Sequence, residues 1–225
     1  MPKEKENRGI CPYCGKEKNL TREHVFPQTL FRVLDTDMIV INICYQCNNK
    51  KSPWDRDLRN YVNLHIEGSR HPDAEHHIQR MLIDERTRAF IKSSIETADE
   101  VDFVSEGGIV LGQGIQFPFN TERAMNTMRL TVRGLYQVEI DSALPLSEPT
   151  DIIEIDFRIA PRFIAKVMGF SHGPGVVKGN DVACYVRFPI AEGAGECDSG
   201  WLILLNGGVC FFGGTGSVAT WITNF

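Results

Sequence analysis

No run among the 225 residues approaches the roughly 18 consecutive apolar side chains of a membrane-spanning helix, which argues against a protein built on such spans. The opening MPKEKENRG lacks the apolar core of a secretory signal, so a cytoplasmic location and no membrane partner are expected. Internal repeats and low-complexity tracts are missing too, which leaves an ordinary globular chain. A positive charge balance is also lacking. Lys and Arg number 24 against 29 Asp and Glu, a formal charge of −5, and this weighs against a general nucleic-acid coat protein. The deficit is uneven, because residues 1–62 hold eleven basic and eight acidic residues (+3) while the rest holds 13 and 21 (−8). Any phosphate-facing surface is therefore expected toward the N-terminus.

Cysteine is sparse but not random. Four of the seven stand in two C-x-x-C units, Cys11/Cys14 and Cys44/Cys47, whereas Cys184, Cys197 and Cys210 have no ligand spacing and read as buried small hydrophobes. Paired C-x-x-C units in a chain without a secretory signal point to a metal before a disulfide. Four thiolates suit zinc in a closed tetrahedral site, which is a structural site because no coordination position is left for substrate.

Between and after the two knuckles, Leu20 to Phe26 reads as a short extended segment ended by Pro27, and Met38 to Ile43 as a strand. A helix is expected from about Cys44, interrupted and restarted at Ser52-Pro53. One amphipathic helix is expected from Pro72 to about Ser93; His71, His76 and His77 near its start read as a solvated polar surface. Downstream, strands are expected over 101–105, 109–117, 151–159, 182–190, 201–205 and 209–212, with Asn206-Gly207 as a two-residue hairpin turn. The pattern from Thr121 to about Gln137 predicts a helix, and Arg162–Met168 a second short one.

The nesting of Thr21-Arg-Glu-His-Val-Phe-Pro27 between the knuckles, with Cys44-Tyr-Gln-Cys-Asn-Asn-Lys-Lys51 closing it, resembles the HNH endonuclease family over residues 10–62. Taken with the downstream pattern, the resemblance implies an α+β chain in three parts. These are a small zinc-bound ββα-metal domain (1–66), a helical connector (67–98) and a β-rich α+β domain of unassigned role (99–225). It further implies that His24 is the general base and that Glu23 and Asn48 hold a catalytic magnesium or manganese ion. Asn42 is the nearest candidate to orient His24, although it lies only two residues before Cys44. The implied reaction is hydrolysis of phosphodiesters, in DNA rather than RNA, to 5′-phosphate and 3′-hydroxyl ends, and a double-strand cut would favour a homodimer. Arg22, Lys50, Lys51 and Arg56 could meet backbone phosphates.

Two other readings compete. The same residues could form a catalytically silent zinc module that binds nucleic acid or protein, or a nuclease gated by a ligand or protein at the C-terminal part.

Overall fold

A computed structural model describes residues 7–33, 38–105, 107–116, 119, 121–156, 162–163, 175–188 and 195–223. The chain is mixed α+β, as the patterning predicts. Strands β1 (Arg8–Ile10), β2 (Glu17–His24) and β3 (Val40–Cys44) make a three-stranded antiparallel sheet in that order, and helix α1 (Tyr45–Leu64) leaves β3 directly. Two shorter helices follow, α2 (Pro72–Ile83) and α3 (Glu85–Glu96), and then the two-stranded hairpin of β4 (Asp99–Val104) and β5 (Val110–Gln116). Helix α4 (Thr121–Ile140) precedes a second antiparallel sheet in the order β6-β10-β9-β8-β7, built from β6 (Thr150–Ile155), β7 (Val176–Lys178), β8 (Ala183–Phe188), β9 (Ser199–Leu205) and β10 (Val209–Thr215). A short helix α5 (Ser217–Thr223) follows β10.

Two 20-residue helices hold the molecule together. α1 lies on β2 and β3 with one side and on α4 with another, while α4 turns Thr127, Met128, Thr131, Val132, Leu135 and Tyr136 inward and also packs on β6 and β10. Gly213 in β10 allows this approach, since a β-carbon there would stand 2.7 Å from Val132 Cγ2. One cluster of buried side chains runs from Cys11, Val25 and Ile43 through Leu58, Met128 and Val132 to Trp201, Ile203 and Phe211. Alternation along the second sheet sends Tyr185, Ile203 and Phe211 into this cluster and Val186, Leu202 and Cys210 into a smaller one. Cys210 thus behaves as the expected small hydrophobe, and Cys184 and Cys197 are half-buried free thiols.

Several local expectations are corrected. α1 is one continuous helix with Pro53 inside it, because packing on β2, β3 and α4 outweighs the one intrahelical bond that a proline cannot make. The helix expected over 72–93 is two, divided at Asp84, whose extended ψ of 122° ends α2 while its carbonyl accepts the first bond of α3 from Arg88 N. β1, β7 and α5 had no distinct sequence signal. The connection at Asn206-Gly207 spans three residues: both have positive φ, Gly208 N bonds Leu205 O, and pairing starts at Leu205–Val209. Of the helix expected over 162–168, residues 162–163 are helical and 164–168 lie outside the described residues, as do the ends of the strands expected over 109–117, 151–159 and 182–190.

Asn206 also ties this turn to α1. Its buried Nδ2 donates to Asn63 Oδ1 at 2.8 Å while its backbone sits at φ 48°. Asn206→Ala loses the bond and the tolerance of asparagine for that conformation, a combined cost of about 2–3 kcal/mol, read as a lower urea midpoint at unchanged slope. Asn206→Gly should recover the backbone share.

Candidate metal centre and its surroundings

The first knuckle is a tight turn in which Gly15 N donates to Cys11 O at 2.7 Å and Cys11 N to Lys16 O at 3.0 Å. Gly15 takes φ 65°, a conformation that a β-carbon resists, and this aims both thiols the same way. The second knuckle sits at a strand-to-helix junction. Cys44 ends β3 and flanks the N-terminus of α1, and Cys47 lies in the first helical turn, where the exposed N–H groups favour thiolate.

Folding brings the four sulfurs together, all within 4.8 Å of one another. Cys14 and Cys44 Sγ are 3.8 Å apart, and tetrahedral zinc with bonds of about 2.3 Å sets its sulfurs about 3.8 Å apart. Cys44 N donates to Cys11 Sγ at 3.3 Å, a bond that stabilises thiolate. Burial and the neighbouring sulfurs push the Cys47 thiol up. These four cysteines could hold a metal ion such as zinc. Among the described residues no other group of Cys, His, Asp and Glu is so arranged, and His71 and His77 serve structure instead. His71 Nδ1 accepts from Asp73 N at the start of α2, and the His77 ring meets Leu30 O at 3.1 Å.

Glu23 and His24 lie at the end of β2. Glu23 pairs with buried Ile41 and turns toward α1, where Lys51 Nζ donates to its Oε1 at 2.8 Å. Lys51 is fully buried and donates also to Asp55 Oδ2 at 2.8 Å, while Asp55 Oδ1 accepts from Thr127 of α4 at 3.3 Å. This ion triad lies between β2, α1 and α4. Burial raises the Asp55 carboxyl to about 6 against the opposing pull of Lys51 and with the Glu23 charge assisting. One ammonium cannot balance two desolvated carboxylates, so the more buried acid holds its proton more tightly.

The Gln28 amide nitrogen lies 2.5 Å from His24 Nε2, and His24 Nδ1 is buried without a partner among the described residues. Burial lowers the His24 pKa, with Arg22 and Lys51 adding to the effect and Glu23 opposing it, so the ring is neutral at pH 7. Asn42 is exposed opposite Arg22, and the observed ring partner is Gln28 rather than Asn42. Gln28 was missed on sequence; its only signal is a place four residues beyond His24, just past Pro27. Asn48, one turn of α1 before Lys51, is half-buried, and its amide makes no hydrogen bond among the described residues. No helix among the described residues is long and apolar enough to cross a membrane.

No protein-family model matches this chain, and neither a curated protein nor a solved structure does.

Proposed function

We propose that this chain is a zinc-stapled nuclease of the HNH type, hydrolysing phosphodiesters in DNA to 5′-phosphate and 3′-hydroxyl ends. One observation carries the reading: the strand, strand, helix order of β2, β3 and α1 is closed by a four-sulfur cluster, with Glu23-His24 on the strand and Asn48 in the first turns of the helix. In this reading zinc fills the cysteine cluster and the N-terminal part is the ββα-metal domain.

The donors fit a hard divalent cation. Among the described residues the Asn48 amide has no partner and Glu23 keeps its second carboxylate oxygen, and the triad of Lys51, Glu23 and Asp55 is net negative when both acids are ionised. Magnesium or manganese held there supplies Lewis-acid stabilisation of charge on the phosphate and leaving oxygens. His24 takes the proton of the attacking water at Nε2 once Gln28 yields that nitrogen, and its lowered pKa keeps the acceptor free at neutral pH.

Plasmid cleavage with magnesium or manganese tests this, with EDTA and with His24→Ala carrying full zinc. His24→Ala should lose at least about 100-fold in rate, and the wild-type rate should fall only as pH drops through a midpoint below 6.5. Equal cutting by mutant and wild type removes His24 as the base. A second reading, the silent zinc module, is favoured by the Lys51 ion pair, which already neutralises Glu23 without a metal. Intact zinc binding with no cleavage by either protein would select it, or a nuclease gated by the C-terminal part.

A further inference from the structure

An open cleft of about 680 Å³ lies beside the zinc knuckles, where they face α4 and the segment leading into β6. None of Glu23, His24 and Asn48 lines it. Its chemistry is divided. Lys16, Lys18, Lys50, Arg129 and Arg133 supply five cations, and no Asp or Glu lines the cleft; Trp54, Tyr13, Leu130 and Leu146 supply apolar surface.

The three lysines are exposed and form no ion pair among the described residues. Lys50 Nζ lies 5.2 Å from the centre of the Trp54 ring, so a cation stands over an aromatic face. Arg129 is paired with Asp151. Arg133 is the most telling group. It is nearly buried, and its guanidinium donates to the carbonyls of Leu144, Pro145 and Glu148 and to Thr150 Oγ1, so no carboxylate among the described residues balances its charge. A zinc-filled cysteine cluster would add two negative charges, which these cations exceed even after Asp151 is set against Arg129.

We infer that this cleft is a second ligand site, which takes a nucleotide unit with its planar base against Trp54 and its phosphate against Lys16, Lys18 and Lys50. A simple anion would leave Trp54, Leu130 and Leu146 unused, and an apolar ligand would leave the ammonium groups unmatched. The volume falls within the range of small-ligand and cofactor sites. The unit is either a free nucleotide or part of a strand. The inference does not depend on the nuclease reading, because the cleft shares none of Glu23, His24 and Asn48.

Binding is measured by calorimetry on zinc-loaded His24→Ala protein with no added magnesium or manganese, so nuclease activity cannot affect the result. ADP, GDP, CDP and UDP are titrated separately, then a 5′-phosphorylated single-stranded dT8, with inorganic pyrophosphate as the base-free control. At least one nucleotide or dT8 should bind, and both Trp54→Leu and the triple change Lys16→Gln, Lys18→Gln, Lys50→Gln should weaken it tenfold or more. Binding of a diphosphate assigns a free nucleotide, and binding of dT8 alone assigns a strand. Zinc content and circular dichroism confirm that the variants fold; a tryptophan variant that fails is replaced by Trp54→Phe, expected to retain binding, with Leu130→Gln as the apolar change that weakens it. Absence of binding, binding unmoved by the lysine changes, or pyrophosphate binding as tightly as the nucleotides overturns the proposal.

Discussion

Cys44→Ser should release the metal and unfold the region it organises. Cys44 is the cysteine on which most converges: it ends β3, flanks the start of α1, is buried, and holds Cys11 through its own N–H. Structural zinc contributes about 10–16 kcal/mol in small zinc-finger peptides, as much as the whole stability of an ordinary domain. Serine is a poor ligand for the same ion, so most of that contribution is lost. Zinc per chain should fall from one toward zero, with loss of the α1 helical signal in circular dichroism and a melting transition lowered by tens of degrees. Chelation of the wild-type protein should give the same end state. A zinc-free protein that kept its melting temperature would show that the sulfurs pack without needing an ion.

Lys51→Met carries the second large expected effect. The substitution keeps much of the buried aliphatic volume but removes the ammonium that faces Glu23 and Asp55, both of which are mostly buried. Breaking a buried ion pair by deleting one partner costs about 3–5 kcal/mol, because the remaining charge is desolvated with nothing opposite. Chemical denaturation should show that loss at pH 7. Adding Glu23→Gln and Asp55→Asn should restore part of it, since both stranded charges are then gone. The triad also has a signature in wild-type protein. The folded Asp55 carboxyl is raised from 3.8 to about 6, so the folded state binds its proton more tightly than the unfolded state. Stability from this group is therefore full below about pH 4 and is lost as pH rises through 6, by about 3 kcal/mol in all. The slope should disappear in Asp55→Asn, and a slope that survives would assign it elsewhere.

The legible parts of this chain are those set by spacing. Each C-x-x-C unit aims two sulfurs at one point, the apolar runs in 201–212 suit strands buried on both faces, and the helical period in 121–137 survives because one face of α4 is buried. The buried triad was not legible. A lysine in Asn48-Asn-Lys-Lys51 reads as solvated surface, and its burial comes from partners distant in sequence: Glu23 and His24 of β2 on Lys51 itself, and Thr127 of α4 on its partner Asp55. Pro53 and Asp84 failed for a related reason. Local preference marks where a helix can break, and packing decides whether it does: α1 is clamped by two sheet strands and α4, while α2 buries only Ala74 and Met81. The part of the candidate site that lies in His24 and Asn48 follows from motif order, but the Gln28 partner depends on a turn after Pro27 that has no motif.

The seam between α1 and α4 bears on how this chain could be cut or borrowed. Thr131 of α4 donates to Val25 O just beyond Glu23-His24, Thr127 reaches Asp55, and Gly134 leaves room for Val25 and Tyr13. A gene fragment ending near residue 98 would carry all four clustered cysteines and every proposed catalytic group, yet it would open one wall of the pocket around them to water. Grafted onto another protein, residues 1–98 should behave as an incomplete cassette, and extending the graft through residue 140 should be the shortest repair.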